Sequence, residues 1–452
     1  MGATQVRSYF GTDGIRGVAN VGLTPELALS LGRALGSRLE PRSAVIIGRD
    51  TRRSSTMLEG ALAAGLASAG VDAMSVGVLP TPAVAEAVPA FGAAAGAMIS
   101  ASHNPFPDNG IKVFGADGFK LADAEEAEVE RALERELPRP EGSAVGELRE
   151  LPSARDGNLD SLVERHGVDL SAFRIAIDCA NGATVPTAPA LLARLGADVH
   201  AIADDPDGIN INEGCGSTHM ERLRAMVPDI GADLGLAFDG DGDRVLAVDA
   251  GGHVVDGDQI LAILAIDRLR QGALPGPAVV TTSMANLGFR KAMQRAGIEV
   301  RETAVGDRYV LEEMRGEGFI LGGEQSGHVI DLAHGPTGDG LATALGLLGA
   351  LDRQGSGLSE AASAMTKMPQ RLVNHRVRDK RELERAQRVW DAVRRAEETL
   401  ADNGRVVVRA SGTEDLVRVM VEAATIEECD QWCSEIGAAV DVALGTVSMG
   451  GD

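Results

Sequence analysis

The sequence predicts an α/β chain of several domains: three similar α/β units with mixed, largely parallel sheets, then a smaller α+β unit with an antiparallel sheet. Three observations lead there. First, 452 residues with 44% hydrophobic and 24% charged are too long for one small domain and too apolar for a disordered chain. Second, one arrangement occurs three times in order: apolar run, small-residue loop, Ala/Leu-rich helical stretch, Gly, second apolar run. Third, the residues after Met368 abandon that rhythm.

The first copy begins at Ala44 (AVIIG), continues through a helical stretch over 57–69 to Gly70, and ends in VDAMSVG. The second has IAID from Ile175, the loop CANGAT, a helical stretch over 188–195, Gly196 and ADVHAIA. The third has AVVT from Ala278, the loop TSMAN, a helical stretch over 287–296, Gly297 and IEVRET. Each Gly suits a helix C-terminus that needs a left-handed backbone, and the flanking runs are short and β-branched, like buried strands. Strand, helix and strand joined by a right-handed crossover give parallel pairing. After Met368-Pro369 come the strand RLVNHRVR, a charged helix from Lys380, the strand RVVVR, the turn ASGTED, the strand LVRVMVEA and a closing helix over 426–440. Acidic, Pro-containing or Gly-rich joints fall at 138–152, 253–258 and 354–369. The expected domains are 1–153, 154–254, 255–368 and 369–452.

Lys plus Arg number 43 against 66 Asp plus Glu, a formal charge of -23. Such a field repels phosphate backbones and anionic headgroups, so nucleic acid and membrane surfaces are excluded as partners. The start, MGATQVRSYFGTDGIRG, carries no apolar signal segment, which leads to the expectation of a cytoplasmic protein. Four cysteines are too few for a disulfide framework, and Cys429 and Cys433, four residues apart on one helix face, read as packing. Lysine occurs only at 112, 120, 291, 367 and 380, which makes each one worth locating.

Five loops carry the chemistry. Asp239-Gly240-Asp241-Gly242-Asp243-Arg244 follows the apolar run LGLAF; three alternate carboxylates with Gly between them can converge on one hard divalent cation. An EF-hand would need Gly and Glu where Arg244 and Ala250 stand, and few protein ligands favour Mg²⁺ with room for a phosphoryl oxygen. Ile99-Ser100-Ala101-Ser102-His103-Asn104-Pro105 places a Ser beside a His in a loop that Pro keeps from becoming helical, a nucleophile or phosphoryl carrier. Arg409-Ala410-Ser411-Gly412-Thr413-Glu414, with Arg418 beyond it, offers backbone N–H groups, hydroxyls and guanidiniums to an anion. Gly322-Gly323-Glu324-Gln325-Ser326-Gly327-His328 offers donors and acceptors to sugar hydroxyls. Near the amino terminus, Gly11-Thr12-Asp13-Gly14-Ile15-Arg16-Gly17 holds an Arg between glycines, where it can approach a phosphate.

In this order the five loops resemble the α-D-phosphohexomutase superfamily, and within it GTDGIRG, GGEQSGH and TAVGDRYV from Thr303 resemble the bacterial phosphoglucosamine mutase branch. One departure is that Ala410 and Asp415 stand where the family's phosphate loop has prolines, which bears on loop stiffness. The resemblance implies four domains around a central cleft. It implies Ser102 as phosphoserine and as a ligand, with Asp239, Asp241 and Asp243, of one Mg²⁺ per chain. It implies that Glu324 and Ser326 grip the sugar and that Arg409, Ser411, Gly412, Thr413, Arg418 and Arg244 bind phosphate.

Lys112, in a matching position near the serine, is a general acid/base or phosphate-orienting candidate, and Arg16, His103 and His328 are the others. The implied reaction interconverts glucosamine 6-phosphate and glucosamine 1-phosphate, with glucosamine 1,6-bisphosphate as intermediate and activator, and feeds UDP-N-acetylglucosamine and cell-wall precursor synthesis. The partner is a small phosphosugar. An activating kinase or a bisphosphate as primer, and a monomer or homodimer, stay open. The rival readings are a phosphomannomutase or phosphoglucomutase on the same scaffold, and a non-catalytic sugar-phosphate sensor. The scarce positive charge then has to be concentrated by Arg16, Lys112, Arg244, Arg409 and Arg418.

Overall fold

The computed structural model describes residues 9–11, 13–411 and 415–445. Gly412 and Thr413 therefore lie outside the described residues. The chain divides into two units, Met1–Met284 with Ala296–Ala364, and Ala285–Arg295 with Met365–Asp452.

Three sheets lie in the first unit. The amino-terminal sheet orders its six strands Ile15–Val18, Asp108–Gly115, Ala95–Ile99, Ala44–Arg49, Asp72–Val78, Leu148–Glu150. The expected pair, Ala44–Arg49 and Asp72–Val78, is parallel, and helix Arg53–Ser68 crosses between them. Helix Pro25–Gly36 lies so close to that helix that a Cβ on Gly32 would stand 2.2 Å from the Leu62 carbonyl oxygen and one on Gly65 2.1 Å from that of Leu29. Leu31, Leu58, Leu62 and Ile47 are buried beneath this contact. Strand Ala95–Ile99 continues the parallel order, but Asp108–Gly115 returns antiparallel to it. That return places the serine loop at the strand end and Lys112 on the neighbouring strand.

The second sheet runs Val254–Val255, Val245–Asp249, Leu234–Phe238, Arg174–Asp178, Asp198–Ile202. Its last three strands are parallel, whereas Leu234–Phe238 and Val245–Asp249 form an antiparallel pair with the aspartate loop at its tip. In the third sheet, Glu299–Thr303, Ala278–Thr282 and Leu321–Gly323 are parallel and Val329–Asp331 returns antiparallel, with the sugar-type loop at the turn. All three repeats thus form the parallel strand pair read from the sequence. Gly70, Gly196 and Gly297 close their helices with φ of 87°, 98° and 73°.

The second unit holds an antiparallel sheet in the order Gln370–Arg376, Leu416–Glu422, Arg405–Ala410. The charged helix expected from Lys380 is broken into a 3-10 turn, Lys380–Arg385, and an α-helix, Gln387–Leu400. The break has local causes: Asp379 accepts the Arg381 N–H at 2.9 Å, and the Leu383 carbonyl accepts from Ala386 N–H and from the Trp390 indole rather than from a continuing helix. Residues 285–295 of the third repeat's helix belong to this unit. Glu422, buried, accepts from the Asn286 side chain at 3.1 Å and the Leu287 N–H at 3.0 Å. Cys429 and Cys433 sit in its apolar core with Trp432 and Ile436, as packing residues. Among the described residues, no helix is long and apolar enough to cross a membrane.

Candidate active site

Ser102 follows a fully buried strand and adopts a left-handed backbone with φ of 53° although it is not glycine. Such a conformation persists only where its surroundings fix it, and here they do. Arg52, 1% exposed, donates to the carbonyls of Ser102 (2.8 Å), Asn104 (2.8 Å), Pro105 (2.6 Å) and Asp108 (3.0 Å). Its Nε is bound at 2.7 Å by Asp50, which also accepts from the hydroxyls of Ser55 and Ser100. The Asn212 amide donates to the Ser102 and Asn104 carbonyls at 2.9 and 3.1 Å. The loop is therefore wrapped around one buried guanidinium, and the Ser102 hydroxyl is aimed at Asp239, to which it donates at 2.6 Å.

Asp239, Asp241 and Asp243 are all buried, and one carboxylate oxygen from each lies within 4.8 Å of the others. Gly240 allows this approach: a Cβ there would stand 2.5 Å from the Ser102 carbonyl oxygen. Thr81, the first residue of helix Thr81–Ala90, donates its hydroxyl to Asp241 Oδ2 at 2.6 Å and its N–H to the Asp241 carbonyl at 2.8 Å. Oδ1 of Asp241 and Oδ1 of Asp243 are buried without a hydrogen-bond partner. Burial, Asp243 and Asp241 push the Asp239 carboxyl well above its ordinary range. Two orphaned oxygens and this crowding of like charge are what a divalent cation would relieve, so the three aspartates could hold a metal.

Lys112 is 1% exposed, and its ammonium lies 2.9 Å from Asp241, 3.2 Å from Asp243 and 3.4 Å from Asp13. Burial opposes its charge, but Asp13, Asp241 and Asp243 raise it well above the usual lysine range. His328 is buried, its Nδ1 3.6 Å from Asp243 and its Nε2 4.0 Å from Asp307; against burial, these carboxylates raise its imidazole. His103 puts Nδ1 3.2 Å from the Ser102 hydroxyl, and burial, then Arg244 and Arg16, push its ring down to about 4. Arg16 pairs with Asp13, and the Arg244 N–H donates to Asp239 at 3.2 Å.

In the sugar-type loop, Glu324 accepts the Gly306 N–H at 3.3 Å, and the Ser326 hydroxyl oxygen is buried without a partner. Ser102, the three aspartates, Lys112, His328, Arg16, His103 and Arg244 thus share one cluster, and Glu324 adjoins it through Gly306, the N-cap of helix Asp307–Glu317. In the second unit, Arg409 and Arg418 are direct cross-strand neighbours; burial and the Arg418 charge lower Arg409, and Ser411 is buried. Two guanidiniums held side by side are what an anion stabilises.

Sequence reasoning did not find Arg52, Asp50, Thr81, Asn212, Asp307 or Lys120 as parts of this cluster, nor Asp13 beyond its place in the first loop. The only signal for Arg52 was Asp50-Thr51-Arg52 at the end of a buried run, and for Lys120 its membership of a set of five lysines.

Three mixed α/β sheets and an antiparallel one, with these loops at their strand ends, define the class. The chain belongs to the phosphoglucomutase/phosphomannomutase family, matching alpha/beta/alpha domain I over residues 7–139, domain II over 158–252, domain III over 256–368 and the C-terminal domain over 372–439. Phosphoglucosamine mutase of Anoxybacillus flavithermus is 52% identical over 443 residues, 97% of this chain and 99% of that protein. Among solved structures, a phosphoglucomutase/phosphomannomutase family protein from Burkholderia thailandensis is similar with a TM-score of 0.81 and 25% identity, over 98% of each chain. N-acetylphosphoglucosamine mutase of Aspergillus fumigatus, solved in complex with GlcNAc-6P and magnesium, shares the fold with a TM-score of 0.67 and 19% identity, over 97% of this chain and 96% of that one.

Proposed function

We propose that the protein is a cytoplasmic phosphoglucosamine mutase, interconverting glucosamine 6-phosphate and glucosamine 1-phosphate through phosphorylated Ser102 and glucosamine 1,6-bisphosphate. The observation that carries this reading is the strained, buried Ser102, whose hydroxyl lies 2.6 Å from the first of three clustered carboxylates. The name of relatives half identical over nearly the whole chain supports the choice of sugar.

Asp239, Asp241 and Asp243, with a phosphoryl oxygen on Ser102, would hold Mg²⁺, which when bound neutralises charge on the phosphoryl group in transfer. As the bond from phosphorus to Ser102 breaks, one forms to the sugar O1, whose proton passes to the Ser102 oxygen; in the return transfer the bond from phosphorus to the sugar O6 breaks as one forms to Ser102, whose proton passes to O6. His103, 3.2 Å from the serine oxygen, is placed to carry that proton at Ser102. Lys112 stays paired and orients the phosphoryl group, while Arg16, Arg244 and His328 add positive charge to the cluster. Glu324 and the unpartnered Ser326 hydroxyl would hold the sugar hydroxyls common to both orientations. Arg409, Ser411, Gly412, Thr413 and Arg418 would hold the phosphate that is not reacting.

Coupled assays on glucosamine, glucose and mannose 6-phosphates test the substrate: the highest kcat/KM is expected on glucosamine 6-phosphate, and a preference for either of the others overturns the choice. Ser102→Ala is expected to abolish turnover with the fold intact, and normal turnover in that variant would end the phosphoserine reading.

A further inference from the structure

Lys120 is the one lysine near the cluster to which the reaction above gives no part. It closes the tight turn that follows strand Asp108–Gly115, in which Gly115 N–H donates to the Phe119 carbonyl at 2.8 Å and Gly118 takes a φ of 80°. A Cβ on Gly118 would stand 2.6 Å from the Ala85 carbonyl oxygen, so the turn is held tightly against the helix behind it. The Lys120 side chain is only 13% exposed, and its ammonium donates to Asp13 Oδ1 at 2.6 Å and to Asp307 Oδ2. The other oxygen of Asp13 lies 3.4 Å from Lys112. An unbroken series of opposite charges therefore runs from the aspartate loop through Lys112, Asp13 and Lys120 to Asp307, and Asp307 faces His328, which returns to Asp243.

The far end of this series is the start of helix Asp307–Glu317, with Gly306 as its N-cap, and each of residues 306–308 makes a contact. Gly306 N–H donates to Glu324, Asp307 takes Lys120, and Arg308 reaches Asp123, Glu126 and the Leu121 carbonyl beside Lys120. A movement of this helix start is thus transmitted to Glu324 by a hydrogen bond, and it changes the charge facing His328, 4.0 Å from Asp307. We propose that Lys120 is a positioning residue for the transfer: by bridging Asp13 and Asp307 it holds the start of helix Asp307–Glu317, and with it Glu324 and the carboxylate facing His328, in register with the Ser102 and aspartate loops.

The inference rests on the mutase reading, and kinetics of the full chain with glucosamine 6-phosphate test the two separately. Lys120→Met is expected to lower kcat by up to about a hundredfold, the scale of a misplacement of about 1 Å. KM should rise as well, because Glu324, which accepts the Gly306 N–H and holds the sugar, shifts with residues 306–308. Lys120→Arg, which keeps a charge able to bridge, should recover most of kcat, a rescue that a purely structural defect measured by melting temperature would not follow. Asp307→Asn cuts the same link from the other side, so Lys120→Met/Asp307→Asn should be no slower than the slower single variant.

Folded Lys120→Met with kcat within about twofold of wild type, or losses that multiply in the double variant, would overturn the proposal. Should Lys120→Met not fold, Lys120→Arg and Asp307→Asn decide it by the same kcat comparison. A wild type active only on glucose or mannose 6-phosphate would refute the substrate and leave Lys120 to be judged on that sugar. A wild type inert on all three would refute both.

Discussion

Arg52 gives the most demanding test of the site's construction. Replacing it by Met keeps the buried stem and removes the guanidinium, and with it donors to four loop carbonyls and the partner of Asp50. The four losses are unequal. The Ser102 and Asn104 carbonyls keep the Asn212 amide, and the Pro105 carbonyl keeps the Asp108 N–H. Asp50 keeps two hydroxyls and the backbone N–H of residue 52 but loses the only opposite charge it has among the described residues, so the cost is set by a buried carboxylate without a counter-charge, about 3–5 kcal/mol. With the unfolding entropy of so large a unit, at between one and two degrees per kcal/mol, the melting temperature should fall by roughly 5 °C. Because the same contacts impose the left-handed Ser102, kcat should fall about a hundredfold even well below the melting transition. Arg52→Lys should fail too, since three donors on a point charge cannot span four carbonyls and Asp50. Differential scanning calorimetry and steady-state turnover at one temperature measure the two effects. An Arg52→Met protein with unchanged melting and turnover within about twofold would show that the loop holds itself, against the reasoning that a buried hydrogen-bond partner cannot be removed freely.

The metal reading and the acid sensitivity of the fold can be checked in the same preparations. Chelation with EDTA should abolish turnover and added Mg²⁺ restore it, while Thr81→Val, which removes the hydroxyl on Asp241 Oδ2, should raise the Mg²⁺ needed for half activity about tenfold; an unchanged requirement would remove Thr81 from the site. His166, stacked on His334 with ring centroids 4.5 Å apart, is pushed from 6.5 down to about 3 by burial, by His334 and by Arg165, Arg268 and Arg353. The unfolded chain therefore binds a proton between those values that the folded one refuses, and stability, full above 6.5, is lost as pH falls through that window. From pH 7 to 5 the loss from this one ring is about 2 kcal/mol. His166→Phe, which keeps a stacked ring without a titrating nitrogen, should flatten the decline of melting temperature over that range, and an unaltered slope would refute the assignment.

How much of this was legible in the sequence follows from the distance over which each feature is decided. The three strand–helix–strand units are local: short β-branched runs, a helical stretch and a terminal Gly lie within a few turns of one another, and their parallel pairs form as read. The aspartate loop was legible for the same reason, its ligands being alternate residues of one chain segment. The broken helix after Lys380 was not, because its Ala386 break depends on an Asp379 cap and an indole reaching back to Leu383, which compete with helical periodicity without altering it.

The partners that fix the site are contributed over long separations. Arg52 holds residues 50 or more positions away, Thr81 lies 160 from Asp241, and Lys120 lies 187 from Asp307. No periodicity records such a meeting; what the sequence does record is cost. In a chain of net charge -23, a lysine or arginine next to an apolar run must find carboxylates or carbonyls once it is buried, or it would destabilise the fold by several kcal/mol. Applied to Lys112, that rule would have predicted buried acidic partners instead of a free base, and applied to Arg52 and Lys120 it would have marked both as interior cations before their partners were known. The charge asymmetry is thus also the condition that makes each buried cation in this chain a point where separate segments converge.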